Sequence, residues 1–171
     1  MARSVGRFSV LAAAAALVLS ASAAQAARQA VAVDPSIEPG TIVVKTSERQ
    51  LYLVTGYGSA IRYPVAVGRP GKQWSGEAAV QGKYVSPAWS PPDEVRRDNP
   101  KLPNIIPGGT KGNPMGTRAL VLDRGQYAIH GTNAPGSIGT FASYGCVRMH
   151  NADINDLFDR VDVGTRVVVV K

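Results

Sequence analysis

The chain has 171 residues, 44% hydrophobic and 18% charged, with 19 Lys+Arg against 12 Asp+Glu and a net charge of +7. That length holds one ordinary domain. The hydrophobic fraction excludes wholesale disorder, and the scattered charges exclude a polytopic membrane protein. Eighteen Gly and twelve Pro favour strands and turns over a helical bundle, and the single Cys excludes an internal disulfide framework and a multi-cysteine zinc site.

Residues 1–26 read as an export signal. Arg3 and Arg7 form a positive start, and Phe8–Leu19 is an apolar run of twelve residues, too short to span a bilayer comfortably. Ala24-Gln25-Ala26 then predicts cleavage after Ala26, with Ala21-Ser22-Ala23 as the second option and an uncleaved anchor as the competing reading. Cleavage removes two Arg and no acid, so the net charge falls from +7 to +5. The remaining Lys and Arg are dispersed, without a dense run or interleaved aromatics. The expected partner is a polyanionic envelope or an acidic substrate, not nucleic acid; a merely solvated basic surface is the plainer alternative.

Residues 27–40, with Asp34-Pro35 and Pro39-Gly40, read as a short flexible lead-in, and the domain proper as 41–171. Thr41–Lys45 and Leu51–Val54 are predicted strands around a polar turn. After the turn at Gly56–Gly58, Ile61, Tyr63, Val65 and Val67 alternate with the period of a half-buried strand, which makes a β-meander. From Gly68 to Gly116 prolines and glycines punctuate the chain; Lys83–Val85 is a possible strand, and most of 86–117 reads as a long ordered loop anchored by Trp89, Leu102, Ile105 and Ile106. Strands resume at Ala119–Leu122 and Tyr127–Ile129. Asn151 reads as the N-cap of a helix whose Ile154, Leu157, Phe158 and Val161 form one apolar stripe, and Arg166–Val170 is a closing strand.

The cysteine needs a chemical account. An unperturbed thiol, with a pKa of about 8.5, is only slightly ionised at neutral pH, and a nearby imidazole supplies the base it lacks. His130 ends a predicted strand, is followed by Gly131, and precedes Cys146 by sixteen residues. Gly145 lets a substrate carbonyl come close to the backbone, so the Cys146 N–H is a candidate oxyanion donor. The competing reading of Cys146 is an inert buried thiol. His150 is the rival base, but it lies four residues after the cysteine, beside the predicted helix start. Two His and one Cys supply at most three metal ligands, and neither a metal nor a cofactor is expected.

His130-Gly131-Thr132 followed by Ser143-x-Gly145-Cys146-Val147-Arg148 resembles the signature of the L,D-transpeptidases, the YkuD-type catalytic domain. The likeness runs over about residues 40–171 and includes Gln50-Leu51-Tyr52-Leu53; it departs at Tyr144, where many members carry His. The resemblance implies a single mainly β domain, sandwich- or barrel-like, with a short helix after the cysteine and long Pro/Gly-rich loops. It implies a periplasmic or envelope enzyme, monomeric, that acts without cofactor on donor and acceptor tetrapeptide stems of peptidoglycan and forms 3→3 crosslinks with release of D-Ala. Cys146 would be the nucleophile, His130 the general base and later acid, and Gly145 part of the oxyanion loop. Arg148 would bind a substrate carboxylate or make a structural ion pair. Ser143 would hydrogen-bond the histidine or shape the turn. Gly131 and Asn133, with Ser137, are expected at the donor pocket, where ordinary turn chemistry is the alternative. Trp74 and Trp89 would stack on glycan or peptide, or pack in a core or loop. An L,D-carboxypeptidase, an envelope-protein-attaching transpeptidase, a non-catalytic wall-binding module and a cysteine peptidase of another fold are the alternatives.

Overall fold

The computed structural model describes residues 28–171, so the predicted export signal and its cleavage site lie outside the described residues. In chain order the elements are β1 (Gln29–Ala32), β2 (Ile42–Lys45), β3 (Gln50–Gly56), β4 (Ser59–Gly68), β5 (Gly76–Val85), α1 (Asp93–Asp98), β6 (Arg118–Leu122), β7 (Ala128–His130), β8 (Phe141–Ser143), β9 (Val147–Met149), α2 (Asn151–Arg160) and β10 (Arg166–Val170).

The expected meander is present. β2, β3 and β4 pair antiparallel, with Ile42 opposite Leu53 and Leu51 opposite Tyr63. The period-2 pattern of β4 sends Tyr63, Val65 and Val67 into the core, each at most 1% exposed. β10 lies parallel to β2 and antiparallel to β5, and the sheet continues through β6 and β7 to β9. β9 then pairs back onto β4, Val65 opposite Met149, so the strands from β4 round to β9 close into a barrel of eight. β1 and β8 flank β4 outside that ring. Pro64 sits where β4 passes from β3 to β9, a switch point at which a missing ladder donor is tolerated. The mainly β, barrel-like architecture is the expected one. Ile154, Leu157 and Val161 of the α2 segment are buried in the same core as the strands, and α2 packs on β6 and β7.

Several expectations are corrected. The lead-in is not wholly flexible: its residues 29–32 are β1, paired with Ser59–Arg62 of β4. That strand comes from long-range backbone pairing, which its Gln-Ala-Val-Ala composition does not announce. β5 runs over ten residues, not three, because β10 and β6 flank it and impose extended backbone on an Ala- and Gly-containing segment. His150, not Asn151, is the N-cap of α2, and it makes no side-chain capping bond. The loop 86–117 is tied down, but not by the expected apolar anchors: Ile105 is 59% exposed, and Trp89, Leu102 and Ile106 belong to neither buried apolar cluster. Trp89 and Ile106 exchange backbone hydrogen bonds of 2.9 and 2.8 Å, and buried Asn113 reaches the carbonyls of Pro87, Ile106 and Pro107. Inside this loop α1 is an unpredicted single short helix that buries none of its own residues.

Candidate active site

β7 and β9 run parallel, with Ile129 beside Val147 and His130 beside Arg148. Side chains alternate along each strand, so Ile129 and Val147 enter the core while Ala128, His130 and Arg148 share the other face, with Cys146 one residue before β9 on that same side. Positions eighteen apart in sequence thus come to lie one inter-strand spacing apart.

The cysteine loop is held from three sides. The Ser143 hydroxyl donates to the Cys146 carbonyl (2.5 Å) and accepts from the Gly145 N–H (3.1 Å). The Trp74 indole donates to the Gly145 carbonyl at 3.0 Å, and its ring stacks on Tyr127 with centroids 5.2 Å apart. Gly145 has φ +120, and a Cβ there would strike the Tyr127 ring, so only glycine fits. Ser143 therefore shapes the turn and does not reach the histidine. Trp74 packs as a brace beneath the loop.

Cys146 is partly exposed, and its Sγ donates to the Gln126 carbonyl at 3.8 Å. Burial pushes the thiol up from its ordinary pKa, against the opposing influence of the Ala128 backbone and the Arg148 charge. His130 is buried, and its Nδ1 lies 2.7 Å from the Gly131 carbonyl. A carbonyl only accepts, so that contact assigns the ring proton to Nδ1 and leaves Nε2 as the basic nitrogen. Burial first, and the Arg148 charge second, lower the His130 pKa from 6.5 to about 4, against the Gly131 and Pro114 carbonyls, which favour the charged ring. The resting pair is therefore a neutral thiol and a neutral imidazole. Arg148 is half-buried, burial lowers its own pKa, and among the described residues it takes part in no ion pair, so of its two readings the structural ion pair is not made.

Cys146 opens onto two adjoining cavities. One, about 410 Å³, is lined by Asp93, Glu94 and Arg97 of α1 and by Tyr144; the other, about 370 Å³, by Trp89, Arg96, Met115 and Val121. Gln126 and Tyr127 border both. His130 is buried and lines neither. A larger cavity of about 760 Å³ lies on the outside of the barrel over β2 and β3, among Val43, Val54, Val168, residues 31–34 and residues 36–38, and contains neither Cys146 nor His130. Among the described residues no cluster of three or more His, Cys, Asp or Glu is arranged to hold a metal ion.

The remaining expected site residues are dispersed. Asn133 and Ser137 lie outside both cavities; Asn133 donates to the Gly112 carbonyl (3.1 Å), tying its turn to the long loop, and the Ser137 hydroxyl donates to the Ala134 carbonyl. Gly131 supplies the acceptor for His130 instead of lining a pocket. His150 faces Asp153 at the helix start. Tyr144 donates to Asp98 at 2.5 Å while the Arg69 guanidinium stacks over its ring at 4.0 Å and donates to the same carboxylate at 2.7 Å; Lys72 pairs with Glu94. These contacts fasten α1 over the cysteine. Gln126, Tyr127 and α1 carried no motif that could single them out in the sequence.

The chain matches the L,D-transpeptidase catalytic domain family (YkuD) over residues 39–169. It is 39% identical over 138 residues to the probable L,D-transpeptidase ErfK/SrfK of Escherichia coli, covering 75% of this chain and 43% of that protein, so it spans less than half of that relative's length. L,D-transpeptidase 3 of Mycobacterium tuberculosis shares the fold, with a TM-score of 0.60 and 17% identity over 77% of this chain and 60% of that one. A protein of Brucella melitensis named a probable carnitine operon oxidoreductase is 40% identical, with a TM-score of 0.57, over 85% of this chain and 94% of that one. That name is said of the Brucella protein alone. With the match running from before β2 into β10, the chain belongs to the L,D-transpeptidase catalytic domain family of the YkuD type.

Proposed function

We propose that the protein is a cysteine-dependent acyltransferase of the cell envelope, an L,D-transpeptidase that joins peptidoglycan stem peptides. One observation carries the reading: Cys146, His130 and Arg148 share one face of the β7–β9 pair, and Cys146 opens onto two adjoining cavities, which suits a transfer between two substrates.

His130 Nε2 takes the thiol proton as Cys146 attacks the carbonyl of the L-centre at the third residue of a donor tetrapeptide. The thiol starts on the Gln126 carbonyl, so a side-chain rotation brings it to the imidazole on substrate binding. The Gly145 N–H is engaged by Ser143, which leaves the Cys146 N–H as this loop's donor to the developing oxyanion. The imidazolium returns its proton to the departing D-Ala amine, and a thioester remains. A second stem's amine then attacks the thioester and restores the thiol, giving a 3→3 crosslink. Unpaired Arg148 receives a substrate carboxylate; neutralising it removes a charge that depresses His130, so the bound donor makes its own base stronger. Export by residues 1–26, residence in the periplasm or envelope, and action as a monomer belong to the same reading.

Incubated with disaccharide-tetrapeptides, the protein releases D-Ala and forms crosslinked dimers, read by mass spectrometry, and Cys146→Ala abolishes both. Dimers formed by Cys146→Ala would overturn the mechanism. Trimmed tripeptides without dimers would reassign the acceptor to water, and so the activity to an L,D-carboxypeptidase. Intact mass with a carbapenem supplies a parallel readout: an adduct on the wild type and none on Cys146→Ala.

A further inference from the structure

The geometry points to Asn151 as a positioning residue for His130, acting through the peptide unit that joins Gly131 to Thr132. This rests on the base role of His130 proposed above.

Asn151 occupies the first turn of α2, where an asparagine ordinarily caps its own helix, yet its side chain points away from that helix. Oδ1 accepts from the Thr132 N–H (3.0 Å) and the Thr117 N–H (3.3 Å), and Nδ2 donates to the Thr132 carbonyl (3.1 Å). The Thr132 N–H and the Gly131 carbonyl belong to one planar trans peptide, so they point in opposite directions. One end is held by Asn151; the other accepts from His130 Nδ1 at 2.7 Å. The relay is imidazole to peptide carbonyl, and peptide N–H to amide oxygen. Accepting the N–H also polarises the carbonyl that faces the ring.

Glycine explains why a clamp is needed. A Cβ on Gly131 or on Gly116 would collide with Asn151 Oδ1, so the close approach demands glycine on both sides. A glycine peptide, however, turns over readily. Without Asn151 the unit could rotate, taking the Gly131 carbonyl away from Nδ1 and leaving the buried Thr132 groups without this partner. The ring then loses its Gly131 acceptor while the Pro114 carbonyl remains beside it, so the proton is no longer fixed on Nδ1 and Nε2 is no longer fixed as the base. α2 forgoes a side-chain cap, and its first turn instead holds the histidine loop.

The test compares Asn151→Leu, similar in volume but without hydrogen bonds, with Asn151→Asp, which keeps the accepting oxygen. Two quantities are read: the His130 tautomer from ¹⁵N imidazole shifts, and the rate of Cys146 acylation by imipenem across pH. Wild type and Asn151→Asp show the Nδ1–H tautomer. Asn151→Leu shows a population of Nε2–H and an acylation rate lower by about tenfold or more. A folded Asn151→Leu that keeps the wild-type tautomer overturns the proposal, as does loss of that tautomer in Asn151→Asp. If Asn151→Leu does not fold, Asn151→Ser, whose hydroxyl falls short of the Thr132 N–H, replaces it with the same two outcomes. His130→Gln separates this proposal from the one beneath it. Acylation at the wild-type rate in that variant removes the base role of His130, while the tautomer still decides Asn151.

Discussion

Burial and one neighbouring cation set His130 apart from an ordinary histidine, and the consequence is measurable without substrate. Its pKa falls from 6.5 to about 4 on folding, so between those values the unfolded chain holds a proton that the folded chain does not. Stability must therefore rise with pH across that window and be lost as pH falls through it. By linkage this amounts to about 2–3 kcal/mol at pH 4.5. Urea unfolding of the wild type and of His130→Gln checks it: the wild type loses about that much more stability between pH 7 and pH 4.5. Parallel losses would show that His130 is not held neutral. His130 and Cys146 were legible in the sequence because thiol chemistry demands a base and the glycines beside each mark turns. Asn151 was misread as a cap because the two roles use the same residue type at nearly the same position. Only the return of the 116–117 and 131–132 segments against α2 distinguishes them.

α1 shows what a short element can and cannot do. It has six residues, buries none of them, and is fastened over Cys146 by Asp98 to Tyr144 and Arg69 and by Glu94 to Lys72. Exposed ion pairs are weak and screened by salt, so the cover over the thiol opens easily. Asp98→Ala is expected to raise the rate of thiol modification by a disulfide reagent several-fold, and added salt to raise the wild-type rate more than that of the variant. An unchanged rate would mean that the Trp89–Ile106 bridge and Asn113 hold the cover by themselves. The loop was readable from its length and its prolines and glycines, but the apolar anchors read there are not what holds it: Ile105 is exposed, and backbone pairing and buried Asn113 tie it down. The helix inside it was not, because five charged residues and a lone Val95 after Pro91-Pro92 carry no periodicity and the partners that fix them are distant in the chain.

At the scale of the whole fold, the described residues form two unequal apolar regions on opposite faces of one sheet. The main one fills the barrel, and a smaller one gathers Val43, Tyr52, Val54 and Ala60 under Val31, Val33 and Ile37, beside the 760 Å³ cavity. Val43 and Val44 are neighbours in β2 that point to different regions. Val44→Ala is expected to cost about 2–3 kcal/mol, whereas Val43→Ala, whose surroundings are already open, costs about half as much. Urea midpoints decide it, and equal losses would contradict the assignment of the barrel interior as the principal core.

By itself the sequence determined the mainly β character, the meander, the helix after the cysteine, and the pairing of His130 with Cys146 as the candidate chemistry. These are recorded in short-range periodicity and in residue types whose reactivity is intrinsic. Tertiary structure alone decided the closure of β4 onto β9, the strand within the lead-in, the neutral state of His130, the unpaired Arg148 and the inward turn of Asn151. Each of these depends on which distant segments meet, and on how much water and charge that meeting leaves around a side chain. A pattern of two or four residues along the chain does not contain that information.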